Sequence, residues 1–314
     1  MKKQISYKDI SEMAGVSIST ISRYYNNGYV SKKTKEKIES VVKQHRYYPN
    51  HGARMIRGKD HSVFVIMPEW EQNVSLAITS GIVQACKKNG RRVNTTYTGV
   101  STEEYIETIR YILSWRPTSI VVFVANYDIK LFDFLKDIDD VSIVVFGHEV
   151  PGLNWIKVDE KKGFEEVTLK FIREVQDKSK ILFLADKKIN SQQMQERYEG
   201  FVKSCEASNV EYIRKEVNTK DGNDLNSIIR FIRAEGISNV VCSSHEIYIV
   251  LANLAGNSLR LTDIGYKSIY DYIKHYKAKV FIDYPLIGVE IEKMILLNNV
   301  DGITQEKKIK ARII

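Results

Sequence analysis

The chain has 314 residues, enough for two or three compact units with cores of their own. Hydrophobic residues make up 43% and charged residues 27%, as in a globular protein, and no apolar run approaches the ~18 residues that span a bilayer. The net charge of +8 is localised: residues 1–60 hold 13 Lys and Arg against five Asp and Glu, whereas residues 61–314 carry 34 of each. A basic head on a neutral body suits a protein whose head meets phosphates. Met1-Lys2-Lys3-Gln4 leads into a polar, amphipathic segment, so no signal peptide and a cytoplasmic location are expected. Cys86, Cys205 and Cys242 form no C-x-x-C pair; they read as small buried hydrophobes, with neither a disulfide framework nor a metal site.

Residues 1–46 read as three short helices. Ser6 caps the first, Asp9 completes a capping box, and Ile10, Met13 and Ala14 form its buried stripe. Gly15 breaks it, Ser17 caps a second helix from Ile18, and Ser31 caps a third with Ile38, Val41 and Val42 on one face. Two helices around a glycine turn, braced by a third, form a helix-turn-helix pattern. On the second helix Ile18, Ser19, Ser22 and Arg23 share one side, with Ile21 opposite. Arg23 suits guanine, Ser19 can donate or accept, and Ile18 can meet a thymine methyl. Tyr7, Ser17, Ser22, Asn26 and Ser31 suit phosphate contacts. Pro49 stops the third helix, and residues 47–61 read as a hinge and linker that orders on binding.

From Ser62 onward, β-branched runs alternate with amphipathic helices. Ser62–Met67, Ser119–Ala125, Ser142–Phe146, Lys180–Ala185, Asn239–Cys242 and Lys279–Asp283 read as strands buried on both faces. The expected fold is an all-α head plus an α/β body of two doubly wound parallel-sheet lobes, with a cleft at the strand ends. The N-lobe is expected to comprise about 62–159 plus 286–305, and the C-lobe about 160–285 plus 306–314.

The stretch from Tyr7 to Asn26, YKDISEMAGVSISTISRYYN, resembles the head of the lactose-repressor/galactose-repressor family, whose pattern D-[IV]-A-x-x-A-G-V-S-x-x-T-V-S-R-x-[LI]-N it matches nearly throughout. Val30-Ser31 with Thr34, and Tyr48-Pro49-Asn50 with Ala53-Arg54, resemble the family's third helix and hinge. The resemblance thins through the body but covers nearly the whole chain. It implies a body of periplasmic-binding-protein type, a homodimer, a palindromic DNA operator and a small carbohydrate or phosphorylated carbohydrate effector between the lobes. It assigns minor-groove contacts to Asn50, Ala53, Arg54 and Ile56. Ile56 stands at the family's wedge position, or packs with Met55 across the hinge pair. Gln195-Glu196-Arg197-Tyr198-Glu199-Gly200-Phe201 matches the family's R-x-x-G-[FW], making Arg197 its cleft arginine. Asn126, His148, Asp159, Ser244, Lys267 and Asp283 complete the expected effector set.

The chain departs from the family at Ser243-Ser244-His245, where relatives carry A-N-D. Gly265-Tyr266-Lys267-Ser268 replaces G-[FY]-D-D, and Asp283-Tyr284-Pro285 replaces a Q-P segment. A lysine at 267 suits a phosphate or carboxylate, unless it pairs with Asp283 or Asp159 or points to solvent. No P-loop, H-E-x-x-H, G-x-S-x-G or G-x-G-x-x-G occurs, so neither an enzyme nor a cofactor is expected. The expectation is a DNA-binding repressor of a sugar-utilisation operon. The alternatives are a sugar-binding module without a DNA role, or an enzyme acting on a nucleoside or phosphosugar.

Overall fold

The structure, a computed structural model, describes residues 6–25, 28–45, 60–69, 72–176, 179–255, 258–273 and 276–314. It divides into two compact units, residues 1–60 and 61–314.

In the first unit, α1 (Tyr7–Ala14), α2 (Ile18–Tyr25) and α3 (Lys32–Gln44) surround a small core of Ile10, Ala14, Ile21 and Ile38. The capping box forms as expected: Asp9 N donates to Ser6 Oγ, and Ser6 N donates to the Asp9 carboxylate at 2.7 Å. Gly15 ends α1 at φ 62°, a left-handed conformation that glycine adopts without a Cβ clash. Met13 departs from its expected place. It is 47% exposed because Ile10 and Ala14 already fill the narrow contact with α2 and α3.

Among the described residues, the second unit has two six-stranded sheets. The strands of the first lobe are β1 (Asp60–Pro68), β2 (Val93–Thr98), β3 (Pro117–Phe123), β4 (Ser142–Phe146), β5 (Asn154–Val158) and, from the end of the chain, β11 (Glu306–Ile309), ordered β11-β5-β4-β3-β1-β2. Its helices are α4 (Gln72–Lys88), α5 (Thr102–Leu113) and α6 (Ile129–Lys136). The second lobe contains α7 (Glu160–Val175), β6 (Ile181–Asp186), α8 (Ser191–Ala207), β7 (Tyr212–Val217), α9 (Gly222–Ala234), β8 (Asn239–Cys242), α10 (His245–Leu254), β9 (Arg260–Gly265), α11 (Tyr270–Ile273) and β10 (Ala278–Phe281). With β12 (Arg312–Ile313) at one edge, its sheet order is β12-β10-β9-β8-β6-β7. The chain then returns through α12 (Tyr284–Asp301), β11 (Glu306–Ile309) and β12 (Arg312–Ile313).

The last crossing comes later than expected. Glu306–Ile309 pairs in parallel with β5 of the first lobe, and only β12 joins β10, antiparallel. The assignment of all of 306–314 to the C-lobe is therefore corrected: an apolar Ile309 aligned with Val158 draws β11 onto the first sheet.

Glycines set two helix crossings. A Cβ on Gly81 of α4 would lie 1.9 Å from the Pro285 carbonyl oxygen, and one on Gly288 of α12 would lie 2.0 Å from that of Ile78. A Cβ on Gly200 of α8 would lie 2.1 Å from the Lys161 carbonyl oxygen of α7. That close approach gives the R-x-x-G motif its physical meaning: glycine lets α8 press on α7, which brings Arg197 to Glu160.

Candidate functional site

On the head, α2 buries Ile21 and leaves Ile18, Ser19 and Arg23 exposed, with Ser22 half-buried. Ser17 Oγ accepts from Thr20 N at 3.2 Å and shares hydroxyl hydrogen bonds with Ser19 and Thr20, which fixes the first turn. Ser31 caps α3 by accepting from Thr34 N. Tyr24 Oη donates to Glu39 at 3.3 Å and ties α2 to α3. The exposed stripe Ile18–Ser19–Arg23 thus stands on a braced helix. Lys32, Lys33, Lys35 and Lys37 are exposed on α3. Asn26, Asn50, Ala53, Arg54, Ile56 and the Tyr7 side chain lie outside the described residues.

In the body, a cavity of about 550 Å³ lies between the two lobes, within the usual size of a small-molecule site. The end of β5 and the loops after β4, β6, β8 and β9 contribute lining residues, so the carboxyl ends of strands from both sheets face it. Gly265, at φ 124°, makes the turn that brings Tyr266 and Lys267 to the wall.

The structure places His148, Arg197, Ser244 and Lys267 on this cavity, and Asn126, Asp159 and Asp283 off its lining. Asp159 caps α7 by accepting from Lys162 N, and Asp283 caps α12 by accepting from Leu286 N. Both carboxylates sit where the chain crosses between lobes and serve helix starts. Asn126 is exposed just beyond the end of β3. Ser244 caps α10 and donates to Asp186 Oδ2 at 2.8 Å, so its hydroxyl proton is committed within the protein.

Arg197 is not an open cation. Its Nε donates to Glu160 Oε2 at 3.0 Å, Nη2 to Oε1 at 3.2 Å, and Nη1 to the Ser243 carbonyl. The guanidinium also stands 5.5 Å from the Phe164 ring centroid. Gln193 donates to Glu160 at 2.7 Å, completing the carboxylate's shell. Lys267 is exposed on the rim, with no ion pair among the described residues; neither Asp159 nor Asp283 is its partner.

Among the described residues, Lys157–Glu196 and His148–Gln192 bridge the lobes beside the cavity. Lys157 on β5 pairs with Glu196 on α8 at 2.7 Å, with Glu149 3.5 Å away. His148 Nε2 donates to the Val124 carbonyl at 3.1 Å, and Nδ1 faces the Gln192 amide at 3.3 Å. Burial holds the His148 imidazole below its ordinary pKa, outweighing those hydrogen bonds. The opposite wall carries Asp186, a buried carboxylate that accepts from Ser244 and from Lys188 N. Phe146, Tyr266 and Tyr284 add aromatic surface. Asp186, Lys157, Glu196 and His245 are lining residues that the sequence reading left unassigned. The position of Asp186 at the end of β6 was the available signal.

Residues 6–50 match the family model "Bacterial regulatory proteins, lacI family". The sucrose operon repressor of Staphylococcus xylosus is 26% identical over 149 residues, 47% of this chain and 46% of that protein, so here the chain spans about half its relative's length. The HTH-type transcriptional regulator RegA of Clostridium saccharobutylicum is 23% identical over 295 residues, 90% of this chain and 86% of that protein. Among solved structures, the lac repressor dimer bound to operator and the anti-inducer ONPF superposes with a TM-score of 0.80 at 18% identity, covering 99% of this chain and 98% of that one. The matches divide by region: residues 6–50 carry the head of the lacI family of bacterial regulatory proteins, and the chain shares the fold of the lac repressor.

Proposed function

We propose that this protein is a homodimeric, operator-binding transcriptional repressor controlled by a small carbohydrate in the inter-lobe cleft. The observation that carries the reading is the braced α2 stripe of Ile18, Ser19 and Arg23 on a head holding the chain's whole charge excess. Side chains on the first turns of such a helix reach base edges in the major groove, while the surrounding lysines neutralise phosphates. The relative from Staphylococcus xylosus is named a sucrose operon repressor, and the superposed lac repressor is a dimer on its operator. The cleft supports a polar ligand of sugar size: aromatic faces, fixed amides and a buried carboxylate surround about 550 Å³.

Control is two-state. A ligand that binds one arrangement of the lobes more tightly shifts the equilibrium, and the coupling equals that difference in affinity. Lys157–Glu196 and His148–Gln192 bridge the lobes and are the contacts such a movement would remake. Because Arg197 is already paired with Glu160, the inner cleft favours a neutral sugar over its phosphate, and Lys267, without an ion pair among the described residues, lies on the exposed rim.

The test begins with a palindrome selected from random duplex DNA by the full chain. Glucose, galactose, sucrose, maltose, trehalose, glucose 6-phosphate and fructose 1-phosphate are then titrated onto the complex. At least one neutral sugar should change DNA affinity several-fold. No change with any of them counts against the carbohydrate effector, and failure to select any DNA rejects the reading.

A further inference from the structure

Behind the cleft wall lies a buried ionic chain. Lys279 on β10 and Asp263 on β9 are direct register partners across two parallel strands, and both side chains are fully buried. Lys279 Nζ lies 2.9 Å from Asp263 Oδ2 and 2.6 Å from Asp271 Oδ1, and donates to the Tyr266 carbonyl at 3.1 Å. Burial alone would lower the lysine's pKa, but hydrogen bonds and charge from Asp271 and Asp263 outweigh it and hold the value above the ordinary one. The other oxygen of Asp263, Oδ1, accepts from Ile264 N and from His245 Nδ1, each at 2.7 Å.

His245 connects this chain to the cavity. It begins α10 directly after Ser244, lines the cleft and keeps 26% of its side chain exposed. With Nδ1 turned toward a wholly buried carboxylate, the ring edge left for the cavity carries Nε2. Tyr248 stacks on the ring at 5.9 Å between centroids, and Tyr270 meets it edge-on at 6.2 Å. The imidazole is therefore fixed in orientation by a carboxylate and two aromatic rings. A carboxylate behind a histidine selects which nitrogen carries the proton and aims the other outward.

We infer that His245 reads a ligand hydroxyl through Nε2, with Asp263 as its positioning residue and Lys279 and Asp271 holding Asp263 in place. The inference deepens the carbohydrate reading of the cleft and rests on it. A hydroxyl both donates and accepts, so it satisfies Nε2 in either protonation state of the ring. Asp186, reached by the hydroxyl of the residue preceding His245, adds an acceptor that likewise asks for O–H donors. An anionic group offers no such proton. The ligand class is a neutral polyhydroxy compound with one hydroxyl seated against His245.

The test is long-range proton–nitrogen NMR on the full chain with nitrogen-15-labelled histidine, the His245 signals being identified by their loss in His245→Gln. In the wild type the proton should sit on Nδ1, and Nε2 should shift during titration with the neutral sugars named above. Asp263→Asn should redistribute the proton between the ring nitrogens. His245→Phe should weaken the sugar by about tenfold, one hydrogen bond's worth, while His245→Gln, whose amide can pair with a hydroxyl, should retain more of the affinity. Because His245 is partly exposed, these variants test the idea even if Asp263→Asn fails to fold. A sugar that releases DNA without moving the His245 signals overturns the inference and leaves the carbohydrate reading standing. No sugar acting on either DNA or His245 overturns both. A wild-type proton on Nε2 with Nδ1 bare overturns the positioning role of Asp263.

Discussion

Replacing Glu160 with glutamine should destabilise the body strongly, because it strips the counter-charge from a buried guanidinium. The Arg197 and Glu160 side chains are 8% and 7% exposed, and their pair is 3.0 Å long. Removing one partner of such a pair costs about 3–5 kcal/mol, since the remaining charge keeps its desolvation cost. Glutamine still accepts one hydrogen bond, which places the expected loss near the lower end. For a unit of roughly 250 residues, with an unfolding entropy of about 2.1 cal/mol/K per residue, the loss lowers Tm by on the order of 6 °C. The assay is thermal unfolding of the full chain followed by near-ultraviolet circular dichroism, with and without phosphate. Glu160→Gln should also gain stabilisation by phosphate that the wild type lacks, because Arg197 then needs an anion. The double variant Glu160→Gln, Arg197→Met should recover a large part of the loss, as neutral replacements of buried pairs often do. A Tm change below about 2 °C in Glu160→Gln, roughly 1 kcal/mol, would refute the description of Arg197 as a paired structural cation.

Three further outcomes follow from separate parts of the molecule. Gly288→Ala should cost about 1–3 kcal/mol or more by urea unfolding, because its Cβ would fall 2.0 Å from the Ile78 carbonyl oxygen and force α4 and α12 apart. Burial depresses the folded-state pKa of His148, so its contribution to stability is fully present above the unfolded value of about 6.5 and is lost as pH falls through the folded value. His148→Phe should flatten the acid limb of Tm against pH over that interval. Arg23→Ala should cost roughly 1–3 kcal/mol on the selected palindrome and less on one altered at the contacted base pair; an equal loss on all sequences would identify a phosphate contact instead.

The head was the most legible part of the chain because its signals are local. Ser6, Gly15, Ser17 and Ser31 do what their residue types do at helix ends, and Ile10, Ile21 and Ile38 mark the core by spacing. Met13 misled because an apolar residue at helical spacing need not find a partner in so small a core. In the body, the strands read in advance are those with unbroken apolar runs. Strands β2 and β7 are sheet edges with polar residues, and β5 and β9 carry Lys157 and Asp263. Those charges are tolerated only because Glu196 and Lys279 meet them from distant parts of the sequence. The cleft was hardest to read for the same reason. That Arg197 would be spent on Glu160, Ser244 on Asp186, and Asp159 and Asp283 on helix starts depends on which strand ends converge, and spacing does not report that.

In the proposed function, residues 1–60 bind DNA through a charged, base-reading helix. The most direct test of this claim is the salt dependence of affinity for the selected palindrome, measured by fluorescence anisotropy for the full chain and for residues 61–314. Each neutralised phosphate adds about 0.9 to the slope of log K against log salt, so two heads making several contacts each should give a slope of about −5 or steeper. The body alone should not bind. A slope near zero, or equal binding by residues 61–314, would contradict the claim.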